Sequence, residues 1–225
     1  MSARLQPIPR TKALGAALAL LLAGAAQAAT LQVTVLAKDG QPLPDAVVIV
    51  EPANPGKSAA PLAPVQVEIQ QLKLQFVPKV TVVPLGSKVL FSNLDSYDHH
   101  VRGLPAGLAS LNAAPEKGFT LSLPGKVDNK PPSTATETLK EAGPMQLGCH
   151  LHGSMRGSIY VSDTPWVVKT DAEGKATVQN LPEGAAKVRL WLAEQLVDSP
   201  ATEVSITPTT SVTVPTNITR RRQRL

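Results

Sequence analysis

The strongest constraint on this chain is its cadence. From position 31 onward, short apolar or alternating runs are cut at close intervals by Pro, Gly, Asn and Asp. The first, Leu-Gln-Val-Thr-Val-Leu at 31–36, alternates apolar with polar and meets the turn Lys38-Asp39-Gly40, after which Pro42, Pro44 and Asp45 lead into 46–50. Alternation of this kind marks strands with one buried face, and these two read as strands joined by a tight connection. Strand-like runs return at 65–69, 80–83, 88–92, 99–103, 119–123, 145–149 and 158–162. They continue at 166–169, 176–178, 187–192, 203–207 and 211–214, with turns at 171–174 and 182–184. The helical candidates are short, at 136–141 and 193–196, and the polar, Pro-interrupted stretch 126–143 is expected to be a long surface loop. Aromatic residues are only 3% of the chain, so its cores must be built from Val, Leu, Ile and Ala, a mix that with 21 Pro and 15 Gly suits many short strands. The expected class is all-β, built as sandwiches.

Charge narrows the function. Arg4, Arg10 and Lys12 fall in the first 28 residues, and Arg220, Arg221, Arg222 and Arg224 sit at the far end. Without those seven, 22 − 3 − 4 leaves 15 basic residues against 17 acidic ones, a body near −2. A nucleic-acid-binding protein would carry a basic surface, so that class is set aside. The basic start, the apolar run 13–26 and Ala26-Gln27-Ala28 have the form of a secretory signal, with cleavage expected after Ala28. The run is too short for a spanning helix. Residues 1–28 are therefore read as a signal peptide, the remainder as an exported protein of a bacterial periplasm, and 217–225 as a basic tail.

Export sharpens the meaning of Cys149, the sole cysteine. Secreted proteins use cysteines in pairs, and a lone thiol in an oxidising compartment is prone to oxidation unless buried or held as a metal ligand. Its neighbours favour the second. All four histidines lie in two pairs, His99-His100 and His150/His152, and the second pair brackets Cys149 with Met155 following. A thiolate, His152, a distant His and the Met155 thioether would make the two-imidazole, one-thiolate site with a weak axial thioether in which copper moves between its two oxidation states with little rearrangement. Cys149, His152 and Met155 recur every third residue, so one loop can wrap them around an ion while a neighbouring strand supplies the other imidazole. Zinc competes poorly, because its structural sites prefer several Cys or His.

The Cys-x-x-His-x-x-Met-x-Gly-x-Ile-x-Val run from Cys149 and the stretch Val-Pro-Leu-Gly-Ser-Lys-Val-Leu-Phe-Ser-Asn-Leu-Asp-Ser-Tyr-Asp-His-His-Val before 102 resemble the plastocyanin/amicyanin group of cupredoxins. With Val-Ser-Asp-Thr-Pro-Trp at 161–166, the likeness extends to bacterial periplasmic cupredoxin-domain proteins, often labelled methylamine-utilisation or plastocyanin-like. The resemblance implies one type 1 copper ion held by His99, Cys149, His152 and Met155, with His100 the alternative to His99 because strand neighbours point to opposite faces. It also implies a supporting role for Asn93, steadying the ligand loop through hydrogen bonds, and for His100 if it does not bind. His150 points away from the Cys149 face and is read as a solvated or hydrogen-bonded residue, with electron exit or partner contact as its functional alternative. The opening strands with Asp-Gly-Gln-Pro-Leu-Pro-Asp-Ala, and Thr-Asp-x-x-Gly and Leu-Pro-x-Gly at 170–184, resemble a carboxypeptidase-regulatory-like (transthyretin-like) sandwich. On that reading, 29–56 and 164–216 form one sandwich into which a cupredoxin sandwich, 57–163, is inserted at a loop. The alternative is that the first two strands simply extend the cupredoxin.

The implied function is a one-electron carrier that docks transiently on a redox partner protein. A copper storage or delivery module, or a non-catalytic scaffold, are the alternatives. No enzymatic motif stands out, and four ligands would leave the ion no open position for a substrate.

Overall fold

The computed structural model describes residues 29–107, 118–196 and 199–219; the expected signal peptide and the terminal arginines lie outside them. Sixteen strands and one short 3₁₀ turn, Gly56–Ala59, make up the regular structure of the described residues. The expected all-β class holds, with the strands of the described residues arranged as two β-sandwiches.

Four sheets are built. Strand β1 (Ala29–Leu36) lies between β13 (Lys175–Leu181) and β16 (Thr209–Pro215). Facing it is a four-stranded sheet of β12 (Val167–Lys169), β2 (Val47–Pro52), β14 (Gly184–Trp191) and β15 (Thr202–Ile206), in that order. Leu31 pairs with Val178 on one side and Thr210 on the other, and Val33 with Ala176 and Val212. The alternating residues Leu31, Val33 and Val35 point inward against Val48, Val50, Val188 and Leu190. Burying such aliphatic side chains stabilises by about 1.5–3 kcal/mol each, which makes the alternation the main determinant of register.

The remaining strands form a second sandwich. Its five-stranded sheet runs β5 (Val80–Pro84), β11 (Arg156–Ser162), β10 (Gly143–Cys149), β7 (His99–Pro105), β8 (Phe119–Leu123). Its four-stranded sheet runs β4 (Gln75–Val77), β3 (Gln66–Leu72), β6 (Lys88–Asn93), β9 (Ser133–Thr138). Ile69, Phe91, Val101, Leu123, Leu147 and Ile159 fill the space between them, and Cys149 and Met155 belong to the same buried cluster.

Three local expectations need correction. The strands at 31–36 and 46–50 do not form a hairpin with each other but enter facing sheets. The connection folds back on β1 at Leu36 and Pro42, with Leu43 N–H donating to Val35 O at 2.9 Å, before crossing, and Asp45 has positive φ. The helix expected at 136–141 is replaced by β9, which interrupts the expected 126–143 loop and pairs Ala135 with Phe91 and Glu137 with Val89. Thr134, Thr136 and Thr138 recur with period two and are β-branched, so the edge of β6 captures them as a strand. At 193–196 there is a single turn, closed by Gln195 N–H donating to Leu192 O at 2.9 Å.

Strand β2 is buried on both faces. Val48 and Val50 face β1, while Val47 and Ile49 turn outward and pack with Val167 and Trp191 against Val80, beside Val82 and Tyr160 of the five-stranded sheet. The Tyr160 and Trp191 rings sit 5.8 Å apart. The two sandwiches therefore share a small apolar contact at the end of the five-stranded sheet remote from Cys149. Among the described residues, no helix is long and apolar enough to cross a membrane.

Candidate metal centre

Period-two alternation along β7 sends His99, Val101 and Gly103 inward and His100, Arg102 and Leu104 outward. On β10 the same rule buries Leu147 and Cys149 and turns Gly148 and His150 away. Cys149 pairs with Val101, so the thiol at the end of β10 and the imidazole at the start of β7 meet on the inner face. The following loop turns back through Gly153, and its Met155 N–H donates to His152 O at 2.9 Å, which brings the His152 ring over the same point.

The resulting geometry is compact. Cys149 Sγ lies 3.6 Å from His99 Nδ1 and 3.5 Å from His152 Nδ1, and one donor atom from each of the three residues lies within 4.8 Å of the others. Bond lengths of about 2.3 Å to sulfur and about 2.0 Å to nitrogen, opened by 110–120°, place the two donors about 3.5–3.7 Å apart, so these separations fit one shared ion. His99 is fully buried and Cys149 is 5% exposed, whereas His152 is half-buried and forms the outer edge. The exposed Tyr97 ring stands 6.3 Å from His152. Met155, 1% exposed, is buried on the same loop.

The other residues singled out in the sequence have defined places. His100 does not join the cluster; it is half-buried on the outer face, where its carbonyl accepts from His150 N–H at 2.9 Å. His150 is exposed. Asn93, fully buried at the end of β6, directs its amide NH₂ to Tyr97 O at 2.7 Å and to Leu123 O and Pro124 O at 3.0 Å. Its Oδ1 accepts from Asp95 N–H at 2.9 Å. It thereby anchors the 94–98 loop that delivers His99.

Sequence reasoning missed Asp95. Its Oδ2 lies 3.1 Å from His99 Nε2, which orients the ring so that Nδ1 faces Cys149. The same carboxylate accepts from Lys73 N–H at 2.6 Å and Leu74 N–H at 2.9 Å. Burial pulls its carboxyl pKa upward, but the Leu74 and Lys73 amides and the His99 ring together outweigh this and hold it below the ordinary value. Lys73 and Leu74 form the two-residue turn between β3 and β4 with φ of 53° and 58°. Such a turn normally takes Asn and Gly, so the Asp95 carboxylate stabilises a backbone shape its own residues disfavour. The available signal was a carboxylate four residues before a candidate ligand.

No family model and no curated protein matches the sequence. Among solved structures, the copper-containing nitrite reductase of Thermus scotoductus SA-01 is 24% identical over 45% of this chain, with a TM-score of 0.35; the chain spans only 23% of that protein. A Cu(I) form of an amicyanin point mutant is 20% identical, matching 52% of this chain and 99% of its own, with a TM-score of 0.33. The oxidised form of another amicyanin mutant is 22% identical over 51% of this chain and 98% of its own, also at 0.33. At this level of likeness the site's own geometry has to carry the functional reading.

Proposed function

We propose that the protein is a periplasmic type 1 copper protein that carries single electrons, without enzymatic activity. The observation that supports this is one buried sulfur within 3.6 Å of two imidazole nitrogens that converge on it from different elements. In this reading His99, Cys149 and His152 would hold the ion, with the Met155 thioether as a weaker fourth donor. The bound copper would supply one-electron chemistry, alternating between Cu(I) and Cu(II) as electrons arrive from a donor and leave to an acceptor. The chain's contribution is rigidity. Cys149 and His99 are fixed by paired strands, and Asp95 and Asn93 fix the His99 ring and its loop, so the donor positions do not depend on oxidation state. Burial shields the thiolate from oxidants, which suits an exported chain with a single cysteine. The half-exposed edge of His152 beside Tyr97 is the contact point for a transient redox partner.

We further read the β1/β2/β12–β16 sandwich as a carboxypeptidase-regulatory-like unit, 29–56 with 164–216, carrying 57–163 as an insertion. Strand β1 supports this by pairing only with strands far along the chain.

The test is a metal titration of the purified protein. Cu(II) should produce an intense visible thiolate-to-copper band that bleaches and returns on reduction and reoxidation, and Cys149→Ser should abolish the band while the far-ultraviolet circular dichroism is retained. Tight Cu(I) uptake with no stable Cu(II) form would replace the carrier with a delivery protein. A chain that takes up neither ion would overturn the assignment.

A further inference from the structure

The outer face of the five-stranded sheet carries a second feature that the ion-binding cluster does not use. Gly148 on β10 pairs with Arg102 of β7 on one side and Arg156 of β11 on the other, placing two arginines in one row across three adjacent strands. Neighbouring strands are about 4.8 Å apart, so the arginine stems rise on either side of a glycine that adds no side chain between them. A Cβ at Gly148 would meet the Arg156 guanidinium at 3.5 Å, which makes the glycine the floor of the depression. The depression is a cleft of about 440 Å³ lined by Arg102, Leu104, Gln146, Gly148, His150 and Arg156, with Cys149 behind its floor. No carboxylate lines it, and among the described residues neither guanidinium is ion-paired. Arg156 donates one of its five N–H groups to Met155 O at 3.1 Å.

We propose that this cleft is the docking site for an acidic surface of a second redox partner, so that donor and acceptor use the cleft and the His152 edge separately. The inference rests on the carrier reading for its purpose but not for its chemistry. Against a body of net charge near −2, a carboxylate-free pair of arginines is a local inversion of sign. Guanidinium groups match carboxylates bidentately. Both arginines are exposed, so a single small anion would be held only by solvated charges, whereas a surface bearing several carboxylates gains from both and is steered in from a distance. Cys149 belongs to both the cleft wall and the donor cluster. A partner seated there would stand one residue from the metal-binding sulfur, giving electrons a backbone route that avoids the His152 edge.

The test uses the full chain, ¹⁵N-labelled, as purified and again after Cu(I) loading, with hexaglutamate as the probe. At about 20 mM salt, saturable amide shifts are expected at residues 102, 146, 148, 150 and 156, with affinity falling about tenfold by about 200 mM salt. The Arg102→Gln/Arg156→Gln variant should lose at least about tenfold in affinity, while its visible band and remaining amide positions are unchanged. Shifts centred on Tyr97 and His152, undiminished binding by the variant, or equal saturation of the same amides by inorganic phosphate would each overturn the docking site. The two readings fail separately. A missing copper band with the hexaglutamate shifts intact sinks the carrier, and a normal band without those shifts sinks the cleft.

Discussion

Replacing Asp95 with alanine tests how the site is held. The residue is 8% exposed, and its carboxylate serves three groups at once: the Lys73 amide at 2.6 Å, the Leu74 amide at 2.9 Å and His99 Nε2 at 3.1 Å. Hydrogen bonds to a charged partner contribute about 1.5–3 kcal/mol each. The two turn residues are exposed, so water replaces part of what their amides lose, and the lower figure applies to each. His99 is fully buried, and leaving its Nε2 without a partner adds about 1–3 kcal/mol. The expected loss is about 4–6 kcal/mol in the metal-free protein, at the upper end for a single substitution. Urea unfolding followed by far-ultraviolet circular dichroism measures it; tryptophan fluorescence is less suitable, because Trp166 and Trp191 both lie in or against the other sandwich. Copper affinity should fall about 10–100-fold, as for other groups that orient a metal-ligating histidine. The turn can be checked on its own. Leu74→Gly relieves about 1–2 kcal/mol of left-handed strain against about 0.5–1 kcal/mol of added chain entropy, so it should be neutral or slightly stabilising. An Asp95→Ala protein within about 0.5 kcal/mol of its parent and unchanged in copper affinity would refute the link from turn to carboxylate to imidazole.

His99→Ala should abolish the visible band, whereas His100→Ala should leave its position and intensity unchanged; loss of colour in the second protein alone would reverse the ligand choice. Leu31→Ala, fully buried in the sandwich remote from Cys149, should cost about 2–5 kcal/mol in urea unfolding while copper affinity stays constant. Trp191→Ala removes the largest side chain of the contact between the sandwiches and should cost about 3–5 kcal/mol. By calorimetry, it should also resolve one unfolding endotherm into two; a single endotherm with unchanged midpoint would show that the contact does not couple the sandwiches.

What the sequence made legible follows the range of the interaction concerned. The clustering of Cys149, His152 and Met155 is local, so their spacing alone placed them on one loop. Which of His99 and His100 faces inward was also within reach: Val101 and Arg102 identify the inner and outer faces of β7, and His99 shares the face of Val101. The misread segments are those where a distant partner decided. The stretch at 136–141 contains Glu, Leu and Lys, which favour a helix, but β6 offers an unpaired edge and the alternating threonines fit it. The unbroken run 46–50 is apolar because β2 is covered on both faces, a fact that becomes visible only once the second sandwich lies against the first.

Asp95 shows the limit most sharply, and it changes what the metal motif can be taken to mean. Its two backbone donors come from a turn twenty-one and twenty-two residues earlier, and that turn lacks the Asn-Gly that would announce its shape. Neither half of the arrangement signals the other. The ligand motif specifies which atoms can bond an ion. Whether His99 Nδ1 reaches within 3.6 Å of the sulfur depends on a carboxylate bonded to Nε2 and on an asparagine that fixes the loop between them. A related chain that keeps Cys-x-x-His-x-x-Met but loses both supports would retain the donors while its buried imidazole became free to turn. Its affinity should then fall toward that of the thiolate and the loop histidine alone, so Asn93 and Asp95 are as informative as the ligands about whether such a motif forms a preorganised site.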